Sequence, residues 1–107
     1  MSTTSEIMQS LPSRFRPKVA GNLQTTIQFR LVGEDGGEWF MSIADGRCDV
    51  RQGKSTVVDA TIIMDAADFT GINEGTVNAV DTFWGGRITV EGNIDAVLAL
   101  PPVMDWS

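Results

Sequence analysis

The side chains that could do chemistry are few, and their spacing argues against a reaction centre. Histidine is absent from all 107 residues, which removes the commonest general base at neutral pH, every serine–histidine arrangement and most zinc sites. The single cysteine, Cys48, would act as a nucleophile only if a neighbouring cation lowered its pKa. Arg47 and Arg51 occupy odd positions of an alternating run, so they point away from Cys48, which shares its face with Val50. Cys48 therefore reads as a small buried residue. Asp65 and Asp68 fall on one turn at a predicted helix start, where carboxylates cap and complement the dipole rather than pair for acid–base work. Glu34, Asp35 and Glu38 around Gly36-Gly37 lack the ligand spacing of a calcium site and read as a solvated loop. Gly85-Gly86 has no following Lys-Ser/Thr and gives no support to a phosphate loop. Arg14, Arg16 and Lys18 form a small basic run, read as a solvated linker, with an anionic-headgroup site as the alternative. The expectation is no catalytic residue, no metal and no cofactor.

The totals narrow the class further. A chain of 107 residues suits one domain, 1–107, that buries roughly two thirds of its unfolded surface. A net charge of −6, with eight scattered Lys and Arg, argues against nucleic acid as a partner, because phosphate binding needs clustered cations. The same acidity disfavours standing attachment to anionic membranes and leaves at most transient membrane contact. One cysteine forms no internal disulfide, which suits a reducing compartment. The opening MSTTSEIMQS has no basic segment followed by an apolar run, so no secretory signal is predicted. No apolar run approaches the ~20 residues that cross a bilayer. A cytoplasmic location is the expectation.

The elements that would position these residues can be read in order. Thr3 and Glu6 have capping-box spacing ahead of Ile7, Met8 and Leu11, predicting a helix that ends by Pro12. Residues 13–22 read as a connector. Leu23 to Val32 alternates Leu23, Thr25, Ile27, Phe29 and Leu31 with polar residues, predicting a strand. A second strand is predicted over Glu38 to Ala44, with Trp39, Met41 and Ile43 on one face. Asp45-Gly46 is a strong hairpin signal returning the chain as Arg47 to Arg51. Val58 to Met64 predicts a fourth strand. Asp65 caps a helix with Phe69 and Ile72 inward, broken at Gly75. Asn78 caps the next, with Val80, Phe83 and Trp84 on one apolar flank, read as the wall of an apolar compartment. Arg87 to Glu91 predicts a strand, and Asn93 caps a last helix carrying Ile94, Val97, Leu98 and Leu100, which Pro101 and Pro102 terminate. Hairpin-linked strands followed by a helix-rich half indicate an α+β fold, with helices on one face of a mainly antiparallel sheet.

An apolar surplus remains. Met41, Met64, Met104, Phe69, Phe83, Trp84 and Trp106 are large and cluster in or beside short, glycine-interrupted helices. They either fill the core or line a cavity over the sheet, where flexible methionines suit variable chains.

The segments LVGEDGGEWFMSIADGRCDV, DATIIMDAADFTGINEG and NAVDTFWGGRITVEGNIDAVLAL, in that order, together resemble the sterol carrier protein 2 domain in its single-domain form. The resemblance runs from about Ile7 to Leu100, and the Gly-Arg-Ile-Thr-Val-Glu-Gly run is its most specific part. It implies a five-stranded sheet covered by helices around a hydrophobic tunnel that holds fatty acyl chains, sterols or phospholipids, without catalysis. By position it implies a lining of Ile27, Phe29, Met41, Ile43, Phe69, Ile72, Phe83, Trp84, Val97 and Leu98. Ala79 stands where the family usually has proline, and Trp84 where methionine is common, so an acyl chain is the safer ligand class than a sterol.

Two functions compete on this basis. One is a lipid-binding or lipid-carrying domain, monomeric or homodimeric. The other is a non-catalytic interaction or dimerisation module with a filled core, in which Trp39, Phe40 or Trp106 forms the contact. An enzyme using Cys48 is the least supported. The tail from Pro101, with Val103, Met104 and Trp106, is read as an extended lid over one tunnel mouth, and removing it is expected to leave the fold nearly intact.

Overall fold

The computed structural model describes residues 3–104. Each element follows from its local chemistry. The helix α1 (Thr4–Arg14) opens with the expected capping box: the Thr3 hydroxyl accepts from the Glu6 amide at 3.2 Å, and the Glu6 carboxylate accepts from the Thr3 amide at 3.1 Å. It does not stop at Pro12, which lies inside its last turn. Ile7, Met8 and Leu11 are buried against the sheet, and that packing outweighs the preference of residues before proline for extended backbone. The supposed connector holds a short helix, α2 (Pro17–Ala20), with proline at its start, where a missing N–H is harmless.

The strands are β1 (Thr25–Val32), β2 (Gly37–Ala44), β3 (Arg47–Gln52), β4 (Ala60–Asp65) and β5 (Ile88–Gly92). They form one sheet in the order β3-β2-β1-β4-β5. Three of the pairings are antiparallel, as expected; β1 and β4 run parallel, with Phe29 beside Ile62. The β2–β3 hairpin turns at Asp45 (φ 53°) and Gly46 (φ 73°), the two positive φ values that a tight two-residue loop needs.

Register aligns the inward residues into rows. Ile27 lies opposite Met41 and Ala60, and Phe29 opposite Trp39 and Ile62, the latter facing Val90. These inward positions in β1, β2 and β4 are fully buried. The helices α3 (Ala66–Glu74), α4 (Ala79–Trp84), α5 (Ile94–Leu98) and α6 (Leu100–Val103) complete the chain. The α1 helix packs on β3, α3 on β4 and β1, and α5 on β4, β1 and β5; α4 meets the sheet at β5. Phe69 of α3 meets Phe29 edge-on, ring centroids 6.0 Å apart.

The opposite face is polar. Gln28 is nonetheless buried there: its amide donates to the carbonyls of Trp39 (3.1 Å) and Gly53 (2.9 Å), and its oxygen accepts from the Ser55 amide (3.0 Å). That pins the β3–β4 connection to the sheet.

The last segment differs from expectation. Pro101 and Pro102 fall in the first turn of α6 instead of ending a helix, since first-turn N–H groups have no intrahelical partner to lose. Leu100, Val103 and Met104 are buried, Met104 bridges Phe15, and the Val103 carbonyl accepts from the Arg16 amide at 2.7 Å. Residues 101–104 are therefore part of the body, not an extended lid.

Candidate functional site

The ten expected lining residues and the two tail residues expected beside them at the lipid site, Met104 and Trp106, make twelve that divide into groups by burial. Ile27, Phe29, Met41, Ile43, Phe69 and Met104 are buried together in one cluster. Ile72 and Val97 are half-buried at its border. Phe83, Trp84 and Leu98 are exposed by 37%, 79% and 62%. Trp106 lies outside the described residues.

The exposed group corrects the expected compartment wall. The α4 flank Val80, Phe83 and Trp84 faces outward, and Thr82 is the buried side chain of that helix. Local hydrogen bonds close both ends of this helix. The Asn78 side chain caps the helix through the Asp81 amide (3.0 Å), the Thr82 hydroxyl donates to the Asn78 carbonyl (2.7 Å), and the Thr82 carbonyl accepts from the Arg87 amide (3.0 Å). The Thr82 hydroxyl is thereby satisfied where it is buried, and the residues at i−2, i+1 and i+2 lie on the other side of the helix. Phe83 and Trp84 then stack edge-on, centroids 5.7 Å apart. On α5, capped by Asn93 through the Asp95 amide at 2.9 Å, Ile94 and Leu98 are likewise exposed.

Between these helices the inward residues of β5, Ile88 and Val90, are only half-buried. The cover over the sheet is incomplete there, as it is at Val50 on the other edge strand. Alternation pointed to Ile88 and Val90 sharing a face; nothing in the pattern indicated that the face would be incompletely covered.

The polar groups at this edge are few. Asp68, expected only as a first-turn helix acid, is buried and ion-paired with Arg87, whose side chain is largely exposed. The second carboxylate oxygen of Asp68 is buried without a hydrogen-bond partner. Asp65 caps α3 as expected, accepting from the Ala67 amide at 2.8 Å. Arg14 donates to the Asn73 side chain at 3.2 Å, so one member of the basic run is partly engaged.

Other candidates resolve into structural roles. Burial, with a smaller contribution from the charge of Asp49, pushes the Cys48 thiol up to about 11. At neutral pH it is a protonated core residue. Asp35, from the acidic loop, accepts from the Thr4 amide at 2.8 Å and so ties the start of α1 to the β1–β2 connection. Glu38 is paired with Arg30 (3.0 Å) and Lys54 (3.4 Å), and the Arg30 hydrogen bond holds its carboxyl below the usual carboxylate range. Among the described residues, no three His, Cys, Asp or Glu side chains converge as metal ligands, and no helix is long and apolar enough to cross a membrane. Two surface depressions, one beside Asp45 and Arg47 and one beside Asp59 and Asn93, include none of the twelve residues.

The comparisons with known proteins agree with this architecture. The family model described as the SCP-2 sterol transfer family matches residues 7–105. Hydroxysteroid dehydrogenase-like protein 2 of Xenopus tropicalis is 27% identical over 104 residues, covering 96% of this chain and 25% of the relative. The same-named protein of Rattus norvegicus is 32% identical over 82 residues, covering 76% of this chain and 16% of the relative. The chain thus spans about a quarter or less of the length of these curated relatives. Among solved structures, sterol carrier protein 2 from Yarrowia lipolytica in its apo form superposes with a TM-score of 0.71 at 25% identity, covering 92% of this chain and 93% of that one. The palmitated SCP2L2 of Aedes aegypti gives 0.75 at 19% identity, with 98% and 100% covered. The sec-alkylsulfatase Pisa1 from Pseudomonas sp. gives 0.78 at 15% identity, covering 99% of this chain and 17% of that enzyme. The two likenesses below 25% identity speak to the fold alone.

Proposed function

This chain belongs to the SCP-2 sterol transfer family, and from that premise we propose that it is a non-catalytic lipid-binding domain whose ligand is a single acyl chain. The observation that carries the reading is the incomplete cover over β5. Ile88 and Val90 stay half-buried while the inward residues of β1, β2 and β4 are sealed. An acyl chain enters at that edge, between α4 and α5, and lies against Ile72, Val97, Ile88 and Val90. Phe83 and Leu98 form the rim, and the buried Ile27, Phe29, Met41, Ile43, Phe69 and Met104 form the floor. Unbranched Met41 and Met104 can change rotamer to deepen the space.

The energetics suit a ligand with little polar character. Each methylene withdrawn from water contributes about 0.8 kcal/mol, so about ten contribute roughly 8 kcal/mol before the losses of association. The palmitated SCP2L2 of Aedes aegypti is an example of this fold with an acyl chain bound. The test is native mass spectrometry of protein purified from cells, followed by titration of the lipid-free protein with a fluorescent acyl probe. Retained lipid mass and micromolar probe binding, displaced by palmitate, are the expected results. A folded, lipid-free protein that neither binds the probe nor gains thermal stability with palmitate overturns the reading.

A further inference from the structure

The two helices beside β5 carry more exposed apolar surface than an access rim for one acyl chain requires. Val80 (62%), Phe83 (37%) and Trp84 (79%) form a strip on α4, and Ile94 (46%) and Leu98 (62%) a second on α5. Their spacings, i, i+3, i+4 and i, i+4, put each set on one side of its helix. The strips flank the two ends of β5, a five-residue edge strand about 17 Å long.

Charge decides what fits this surface. Asp81 on α4 and Asp95 on α5 are both exposed beside the strips. Residues 55–104 contain seven carboxylates and one cation, Arg87, which is already paired with Asp68. An anionic bilayer is repelled by such a rim. A second copy would oppose the same acids across a two-fold axis, where like charges disfavour contact. A surface with an apolar ridge edged by Lys and Arg is complementary.

We infer that the α4–β5–α5 face is a docking site for a basic amphipathic helix of a partner protein. The helix would lay its apolar stripe across Trp84 and Leu98 and set its cations against Asp81 and Asp95. At 1.5 Å per residue, about 11 helical residues bridge the length of β5, so about three to five turns engage both strips. The docking face shares Leu98 with the rim of the proposed lipid entry, so the peptide is titrated into lipid-free protein, where failure of docking and failure of lipid binding are read separately.

The experiment uses a fluorescein-labelled, 18-residue amphipathic peptide of Leu and Lys. A Ser/Lys peptide of the same charge and a Leu/Glu peptide of the same apolar stripe serve as controls. The Leu/Lys peptide is expected to bind with micromolar affinity and the controls at least tenfold more weakly. Trp84→Ser/Leu98→Ser, both at exposed positions, is expected to weaken binding at least tenfold with an unchanged circular dichroism spectrum. Asp81→Lys/Asp95→Lys is expected to move the preference toward the Leu/Glu peptide. Any of four results overturns the proposal. They are no binding, equal binding of the Ser/Lys peptide, binding undiminished in the serine variant, or a self-association or anionic-vesicle binding of the native protein that the serine variant abolishes.

Discussion

Arg87 reaches across from the start of β5 to the buried carboxylate of Asp68 on α3, so α4 is bracketed by an ion pair that it takes no part in. Arg87→Gln leaves a buried charge without a partner and is expected to destabilise by about 1–3 kcal/mol; the exposure of Arg87 keeps the figure below that of a fully buried pair. Asp68→Asn/Arg87→Gln should lose less than the sum of the single variants. Urea melts of the four proteins measure the coupling, and strict additivity would mean the pair contributes nothing jointly.

Phe83→Ala and Phe69→Ala should separate by several kcal/mol, although both are aromatic residues of short helices. Phe69 is buried against Phe29, and its removal should destabilise by about 3–5 kcal/mol. Phe83 is 37% exposed, so its truncation in lipid-free protein should stay within about 1 kcal/mol. Denaturant midpoints decide this, and a core-sized loss at Phe83 would contradict the outward orientation of α4.

Truncation after Leu100 removes buried Val103 and Met104 and the Arg16–Val103 hydrogen bond. Burial of two such side chains contributes about 1.5–3 kcal/mol each. The shortened protein should melt well below the full chain or fail to fold, instead of folding normally with faster lipid release. Comparing thermal transitions of the two proteins is sufficient.

Cys48 should resist alkylation in the folded protein at pH 8 and react freely once urea unfolds it, because its thiol is held up at about 11 from an ordinary 9.0 and only the thiolate is nucleophilic. The sign for stability follows. The folded state keeps a proton that the unfolded state releases above pH 9.0, so this contribution is complete below 9.0 and is lost as pH rises toward about 11. Iodoacetamide labelling against pH and urea tests both statements.

Much of the fold is legible where one residue type serves one geometry. Thr3, Asp65, Asn78 and Asn93 all cap the helices they precede, and Asp45-Gly46 makes its hairpin. Alternation alone assigned Ile27, Phe29, Met41 and Ile43 to one face, and register confirms it. The orientation of α4 was not legible. A strip at i, i+3, i+4 identifies an apolar flank but not what lies across from it, and in the fold it is Thr82 and not this strip that is buried. Prolines are ambiguous in a similar way: Pro101 falls in a first turn with no N–H partner to lose, and at Pro12 the packing of Ile7, Met8 and Leu11 outweighs the lost bond. The Asp68–Arg87 pair joins residues nineteen apart, which no local pattern reports.

The parallel pairing of β1 with β4 carries a kinetic consequence. β1 is the central strand, yet its second neighbour begins at Ala60, beside Ile27, so one of its hydrogen-bonding edges stays open while the intervening residues are synthesised. During that interval the nascent chain displays Ile27, Phe29 and Leu31 on an unpaired strand, a template for wrong partners. The β2–β3 hairpin can form early and locally, but closing the sheet waits for a contact that is distant in sequence. Crowding or slowed translation near residue 60 should therefore threaten yield more than it threatens the finished domain.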